Sequence, residues 1–159
     1  MKIYSTAHPP PKPLMLWDGN CGFCHWWIIR WKMITNDNVD FEKYQNEASR
    51  FPDVPEHIFG EAVRLIETDG TVYGGAHAAY RSFSYGKRRH WLYFLYRKSR
   101  MFANISDRAY EWISARRSLM YKITVSLLGS NPLHTRPYWL LYLCLIVFLS
   151  GVINHSLWN

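Results

Sequence analysis

Cys21 and Cys24 are separated by two residues. Among the motifs in this chain, this CxxC spacing most directly indicates a reactive site. A thiolate with a second thiol about one helical turn away can attack a disulfide and then resolve the mixed disulfide that forms. A short apolar run at residues 14–17 precedes the pair, and an apolar, aromatic segment of helical length follows it. The pattern therefore predicts a buried strand, a turn at residues 18–20 and a helix that begins near Cys21.

The predicted helix start matters because it determines the reactivity of Cys21. At a helix N-terminus, a side chain meets backbone N–H groups without intrahelical partners and the positive end of the helix dipole. Both favour a thiolate over a thiol, so we expect a lowered pKa for Cys21. We expect Cys24, one turn further on, to be more buried and to act as the resolving thiol.

Three other interpretations of the cysteine pair are open. Residues 21–25 read CGFCH, which has the spacing of covalent haem attachment, but that reaction requires export and no secretory signal is recognisable after Lys2. The pair also supplies half of a zinc site, although the chain has no second CxxC and Cys144 lies in an apolar segment. The third is an inactive protein that keeps the fold. We predict no cofactor and no metal.

The residues around the cysteines each have a functional and a structural interpretation. Asp18 either transfers a proton during exchange or accepts hydrogen bonds from turn N–H groups, since Asp-Gly is a common turn pair. Trp17 either lines the site or packs in the core, and His25 either stabilises a thiolate as a cation or faces solvent. We take Cys21, Cys24 and Asp18 as candidate catalytic residues. The candidate substrate-contact and wall residues are Trp17, Gly19, Asn20, Gly22, Phe23 and His25.

Residues 18–24, DGNCGFC, resemble the DGxCxxC signature of the DCC family of thiol-disulfide oxidoreductases, which follows the first strand of a thioredoxin-like core. Two later segments are similar to the same family. They are a strand, a TDGT turn and a GAHAA helix start within residues 63–79, and a basic helix at residues 107–117. The resemblance covers residues 14–128. It implies a thioredoxin-like fold and exchange with a protein or small-molecule thiol or disulfide.

The pattern between these motifs predicts the elements that hold the site. Residues 39–44 alternate as a second strand, and residues 62–67 and 71–73 flank a Thr-Asp-Gly hairpin signal. A helix at residues 76–83 follows. We therefore expect an α/β fold with a thioredoxin-like βαβ–ββα core.

The second half of the chain is basic and aromatic. Residues 1–80 have a net charge of −3, whereas residues 81–159 have a net charge of +10. The pattern predicts a basic amphipathic helix at residues 87–100 and another from about residue 107 to residue 128, with Ser106 as its N-cap.

Six basic side chains of the first of these helices are candidates for contact with a membrane surface. A well-placed Lys or Arg near anionic headgroups contributes about 1 kcal/mol. A solvated helix face explains the same pattern, and nucleic acid is the weakest alternative because no binding motif is recognisable. The six residues are Lys87, Arg88, Arg89, Arg97, Lys98 and Arg100.

An uncharged, apolar run of sixteen residues occupies positions 138–153. Extended through residue 158, it approaches the length of about 20 residues that crosses a bilayer, so we expect one C-terminal transmembrane helix. A buried core helix or a membrane dip is the alternative. Lys and Arg precede the run and none follows it, which predicts a single-pass protein of the inner or cytoplasmic membrane with its N-terminal domain in the cytoplasm.

These features divide the chain into a proline-rich, solvated lead-in (1–13), a DCC domain (14–130), a linker (131–137) and the expected transmembrane helix (138–158). Three cysteines do not form a disulfide framework, and a CxxC in a reducing compartment is typically redox-active or metal-binding. We therefore favour a thiol-disulfide oxidoreductase. The alternative is a non-catalytic accessory subunit of a larger membrane protein complex.

Overall fold

The computed structural model describes residues 4–87 and 90–157, which contain a five-stranded mixed sheet and eight α-helices. The strands are β1 (Tyr4–Ser5), β2 (Leu14–Trp17), β3 (Asp40–Lys43), β4 (Arg64–Ile66) and β5 (Thr71–Gly74). The helices are α1 (Gly22–Thr35), α2 (Tyr44–Glu47), α3 (His57–Glu61), α4 (Gly75–Phe83), α5 (His90–Lys98), α6 (Arg100–Ala115), α7 (Arg117–Leu128) and α8 (Tyr138–Leu157).

The strand that leads into the cysteines lies inside the sheet. The strand order is β1-β5-β4-β2-β3. Strand β2 pairs in parallel with β3 across the α1 connection and antiparallel with β4, and β4 and β5 form an antiparallel hairpin. The succession β2–α1–β3 and then β4–β5–α4 follows the βαβ–ββα order of the sequence pattern.

Strand β2 is buried on both faces, because a core cluster packs against each side of the sheet. Successive side chains of a strand point to opposite faces, so Leu14 and Leu16 enter one core cluster while Met15 and Trp17 enter the other. The second cluster includes Ile28 of α1. The sheet therefore fixes the position of the helix that carries the cysteines.

Helix α1 begins at Gly22 with Cys21 as its N-cap, which confirms the predicted helix start. Two side chains of this helix bind the segment that follows α7. The Trp26 indole N–H donates to the Gly129 carbonyl at 3.1 Å, and Arg30 donates to the Pro132 carbonyl at 3.2 Å. Helix α1 is therefore held by the segment between α7 and α8 as well as by the sheet.

Two residues within the predicted proline-rich lead-in, Tyr4 and Ser5, join the sheet. Strand β1 pairs antiparallel with β5. Asp53 accepts hydrogen bonds from the Ala7 amide at 2.6 Å and the Thr6 hydroxyl at 2.7 Å, and these two bonds lower the pKa of its carboxyl group. The prolines at positions 9, 10, 11 and 13 follow β1, so they do not remove a donor from its pairing.

The helices after residue 86 differ from those expected. Helix α5 ends at Lys98, and Ser99 caps the next helix, because its hydroxyl oxygen accepts the Phe102 amide at 3.2 Å. The predicted cap, Ser106, lies within α6. A second break at Arg116 separates α6 from α7, although no Gly or Pro marks that position.

The C-terminal apolar run forms α8, but the expectation that it crosses a membrane was wrong. None of the helices that the structure describes combines the length and the apolar content that a bilayer span requires. The uncharged run stops at Ile153, and the polar residues Asn154, His155 and Ser156 follow it, whereas a span needs about 20 predominantly apolar residues. Two expectations are therefore corrected. The fold class does not include a transmembrane helix among the described residues, and a single-pass membrane location with a cytoplasmic N-terminal domain is not supported.

Candidate functional site

The two cysteines are joined at the start of α1. Cys21 and Cys24 form a disulfide with their Cα atoms 5.2 Å apart, and both are partly buried. The Cys24 amide donates a hydrogen bond to Cys21 Sγ at 3.1 Å. After reduction, a thiolate at Cys21 would accept the same N–H at the positive end of the helix dipole. The geometry is therefore suited to an ionised sulfur at position 21.

Asp18 is bound on several sides in the turn before the cysteines. Its Oδ1 atom accepts hydrogen bonds from the Asn20 amide at 3.0 Å and from Gln45 Nε2 at 2.8 Å. Its Oδ2 atom lies 3.4 Å from Arg117 Nη1. These contacts match the structural interpretation of Asp18, and a role in proton transfer stays a prediction.

Gly19, Asn20 and Gly22 form the outer part of the turn and the helix start. The Gly19 amide donates to Gln45 Oε1 at 3.0 Å. Asn20 and Gly22 are exposed, and a Cβ atom at Gly22 would lie 3.6 Å from the ring of Tyr121 in α7. The turn and the helix start are therefore close to another part of the chain, and contact of these residues with substrate stays a prediction.

The aromatic residues predicted at the site differ in how deeply they are buried. Trp17 is buried and stacks on the exposed imidazole of His25, with ring centroids 5.6 Å apart. Phe23 is partly buried and contacts Trp27, with centroids 6.2 Å apart. Trp17 thus packs in the core, while Phe23 lies beside the disulfide.

Helices α6 and α7 cover one side of this site. The Tyr110 hydroxyl oxygen accepts the Val63 amide at 3.2 Å, and Ser114 Oγ donates to the Glu61 carbonyl at 3.2 Å. Arg117 donates to the carbonyls of Glu61 and the residue before it. Burial raises the pKa of the Tyr110 hydroxyl above its ordinary value. The segment that enters β4 is therefore bound to both helices.

An apolar cavity of about 190 Å³ lies between Cys24 and this helical cover. Asp18, Ser114 and Arg117 supply polar atoms to its lining. Its walls are otherwise mostly aromatic and aliphatic, and they include Phe23, Trp27, Trp31, Phe59, Ala62 and Ile113.

No group of three or more His, Cys, Asp or Glu side chains that could hold a metal ion occurs within residues 4–87 and 90–157. The third cysteine, Cys144, is free and exposed in α8. The structure therefore does not bring Cys144 to the pair at positions 21 and 24.

The basic side chains singled out on the predicted helix are exposed where they are described. Lys87, Arg97, Lys98 and Arg100 face solvent. Arg97 lies over the Tyr93 ring at 6.0 Å and Lys98 over the Phe94 ring at 5.9 Å. Arg88 and Arg89 lie outside the described residues. Contact of this surface with anionic headgroups stays a prediction.

A model of the DCC1-like thiol-disulfide oxidoreductase family matches residues 15–122 of the chain. The chain belongs to the DCC1-like thiol-disulfide oxidoreductase family. The match begins in β2, includes both cysteines and ends within α7. It confirms the family resemblance of DGNCGFC, and the cysteine pair is consistent with a redox role. Searches of curated proteins and of solved structures gave no match.

The match also includes site residues that the sequence reasoning missed in this DCC1-like protein. Tyr110, Ser114 and Arg117 contact the segment before β4, and all three lie within the basic segment, residues 107–117, that resembled the family. The resemblance at residues 107–117 was the available signal. Periodicity alone did not indicate that this helix packs beside the cysteines.

Proposed function

We propose that this DCC1-like protein is a thiol-disulfide oxidoreductase in which Cys21 is the nucleophile and Cys24 the resolving thiol. The observation that carries the proposal is the position of Cys21 Sγ at the N-cap of α1, where it accepts the Cys24 amide. A sulfur in this position is favoured as a thiolate, which is the reactive form in exchange.

The proposed reaction starts from the reduced pair. The Cys21 thiolate attacks one sulfur of a substrate disulfide, a bond from Cys21 to that sulfur forms, and the other substrate sulfur leaves as a thiolate. Cys24 then loses its proton and attacks Cys21 Sγ, which forms the Cys21–Cys24 disulfide and releases the second substrate thiolate. The substrate gains two electrons and the pair loses two. A thiol or dithiol reductant returns the pair to its starting state.

We assign to Asp18 the acceptance of the proton that Cys24 loses. Support comes from the cavity, because Asp18 and Cys24 both line it. The exposed groups at Asn20, Gly22 and His25 are the proposed contacts for the part of the substrate outside the cavity.

The test uses the full chain with Cys144→Ser as the background, so that only the pair can react. Rates of alkylation by iodoacetamide are measured against pH in Cys24→Ser and in Cys21→Ser. We expect Cys21 to titrate below the ordinary thiol pKa of about 8.5 and Cys24 not to do so. With oxidised glutathione, Cys24→Ser should accumulate a mixed disulfide. An ordinary pKa at Cys21, together with a pair that stays reduced in mildly oxidising glutathione, would refute the proposal.

A second proposal is a non-catalytic subunit of a larger protein complex. It is supported by large apolar side chains that are exposed on α6 and α7, among them Met101, Ile105, Trp112 and Leu119. Replacement of both Cys21 and Cys24 by Ser should then leave co-purification of the partner unchanged. Loss of the partner in that double variant would favour the redox function.

A further inference from the structure

The main chain that faces the disulfide across the cavity is already paired within this protein. The Val63 amide donates to the Tyr110 hydroxyl at 3.2 Å, and the Val63 carbonyl accepts the Gly75 amide at 3.0 Å. The carbonyl of Glu61 accepts from Ser114. An extended peptide binds a strand edge by exchanging main-chain hydrogen bonds with it. A peptide substrate would therefore have to displace α6 before it could pair here.

The space that remains beside Cys24 is small, apolar and bounded by several elements of the chain. The cavity measures about 190 Å³, and α1, the segment before β4, α6 and α7 all contribute to its wall. For comparison, an engineered apolar cavity of about 150 Å³ in another protein stays dry and binds benzene. One aromatic ring or a branched aliphatic group of similar size thus fits beside the disulfide.

We propose that this cavity binds the ring-sized apolar group of a low-molecular-weight thiol or disulfide, with the sulfur of that compound at the cysteine end. Thiol exchange with this compound rests on the proposed oxidoreductase function. Binding of its apolar group in the cavity does not. A ring joined to sulfur through one or two carbons is short enough to fill the cavity and still place its sulfur at the end lined by Cys24, whose sulfur is bonded to that of Cys21. Helices α6 and α7 thereby determine substrate size.

Binding is tested with benzyl methyl sulfide, which carries a ring and a sulfur atom but cannot exchange. The oxidised full-length protein is titrated and binding is followed by nuclear magnetic resonance. We expect saturable binding that weakens by about tenfold or more in Ile113→Trp, because the larger side chain fills the cavity. Ile105→Trp is the matched control, since Ile105 lies on the same helix and is 60% exposed. If Ile113→Trp does not fold, Ala62→Leu fills the cavity from the segment before β4 instead.

Substrate choice is tested by reducing the oxidised pair with benzyl mercaptan and with 2-mercaptoethanol. We expect the ring-bearing thiol to react about tenfold faster, and the advantage to disappear in the cavity-filling variant. A cysteine peptide with a neighbouring Phe is the third reagent. An equal advantage for that peptide would overturn the proposal, because it would show that a protein side chain occupies the cavity.

The outcomes separate this inference from the proposed function. If benzyl methyl sulfide binds but no thiol exchanges with the pair, the oxidoreductase function is refuted and the apolar site is supported. If thiols exchange at rates that do not depend on the ring and the sulfide does not bind, the apolar site is refuted and the oxidoreductase function is supported.

Discussion

The amide nitrogen of Val63 donates a hydrogen bond to the hydroxyl oxygen of Tyr110 across 3.2 Å, although the two residues are 47 positions apart. Val63 stands directly before β4, the strand next to the one that leads into the cysteines. Tyr110 lies in α6, well after the sheet is complete. Because of this bond and its neighbours, helix α6 forms part of the candidate site.

Replacing Tyr110 by Phe should destabilise the protein by about 1–3 kcal/mol, because the Val63 amide loses its partner in a partly buried place. Urea denaturation of parent and variant measures the change. Tyr121→Phe is the control, since that substitution keeps the ring beside Gly22. Equal stability of Tyr110→Phe and the parent would show that the bond contributes nothing.

Replacing Asp18 by Asn should slow the attack of Cys24 on the mixed disulfide by about tenfold or more at neutral pH, if the carboxylate accepts the proton of Cys24. Single-turnover release of the second substrate thiol measures this step. Gln45→Ala removes two hydrogen bonds from the turn, those to Gly19 and Asp18, and keeps the carboxylate, so it reports the structural effect alone. Similar slowing in both variants would assign Asp18 to the turn rather than to catalysis.

The stability of the protein should fall in mild acid because of His77. Burial lowers the pKa of His77 from 6.5, and its Nε2 atom is buried without a hydrogen-bond partner among the described residues. The folded state therefore binds this proton less tightly than the unfolded state. The stabilisation is complete above about pH 6.5 and decreases as the pH falls below it.

The measurement is the free energy of unfolding in urea, at neutral pH and at about pH 5. We expect His77→Phe to reduce the difference between the two conditions. His57→Ala is the control, since the His57 side chain is 72% exposed. A pH dependence in His77→Phe equal to that of the parent would reject this explanation.

Replacing Arg81 by Met should lower the free energy of unfolding by about 3 kcal/mol, because it leaves the carboxylate of Glu67 buried without its charged partner. Arg81 Nε lies 2.7 Å from Glu67 Oε1, and the Glu67 side chain is 5% exposed. Burial and the hydrogen bond to Glu67 raise the pKa of Tyr85 in the same cluster to about 12. The thermal midpoint measures the change.

The matched control for that pair is Lys12→Met. Lys12 and Asp40 form an exposed ion pair with a distance of 2.6 Å. An exposed pair contributes about 0–1 kcal/mol, so the expected effect is small. If the two substitutions lower the thermal midpoint equally, the burial of Glu67 does not determine how strongly the loss of its partner destabilises the protein.

Replacing Gly70 by Ala should destabilise the hairpin between β4 and β5 by more than about 1 kcal/mol. Gly70 has a φ of 84°, and a Cβ atom there would lie 2.3 Å from the Thr6 carbonyl oxygen. Gly60→Ala is the control, because the nearest atom to its Cβ would be the Tyr44 hydroxyl at 3.5 Å. A loss of stability confined to Gly70→Ala is the expected result in thermal denaturation.

The sequence was sufficient to predict the elements whose signals are local. The apolar run at residues 14–17 is β2, and Cys21 caps α1 as its spacing indicated. The Thr-Asp-Gly turn joins β4 and β5. These signals depend on alternation, turn residues and caps within a few positions of one another, so no knowledge of distant contacts was needed.

The cavity beside Cys24, and the packing of α6 and α7 over it, were not predictable from local signals. Arg117 Nη1 lies 3.4 Å from Asp18 Oδ2, 99 positions earlier in the chain, and Arg117 Nη2 donates to carbonyls at the end of α3. Contacts of this kind arise from packing and leave no periodic pattern. They also accompany the break at Arg116, where the helical pattern alone predicted continuity. The C-terminal run was misjudged because its apolar composition was weighed above its limited length.

The pairing of β1 with β5 has a consequence for handling the protein. Without residues 1–7, the main-chain groups of β5 that bond Tyr4 and Ser5 would be uncovered on the outer side of the sheet. Uncovered strands recruit matching strands from other molecules. A shortened chain should therefore self-associate through β5, and an affinity tag at the N-terminus needs a flexible spacer before Tyr4.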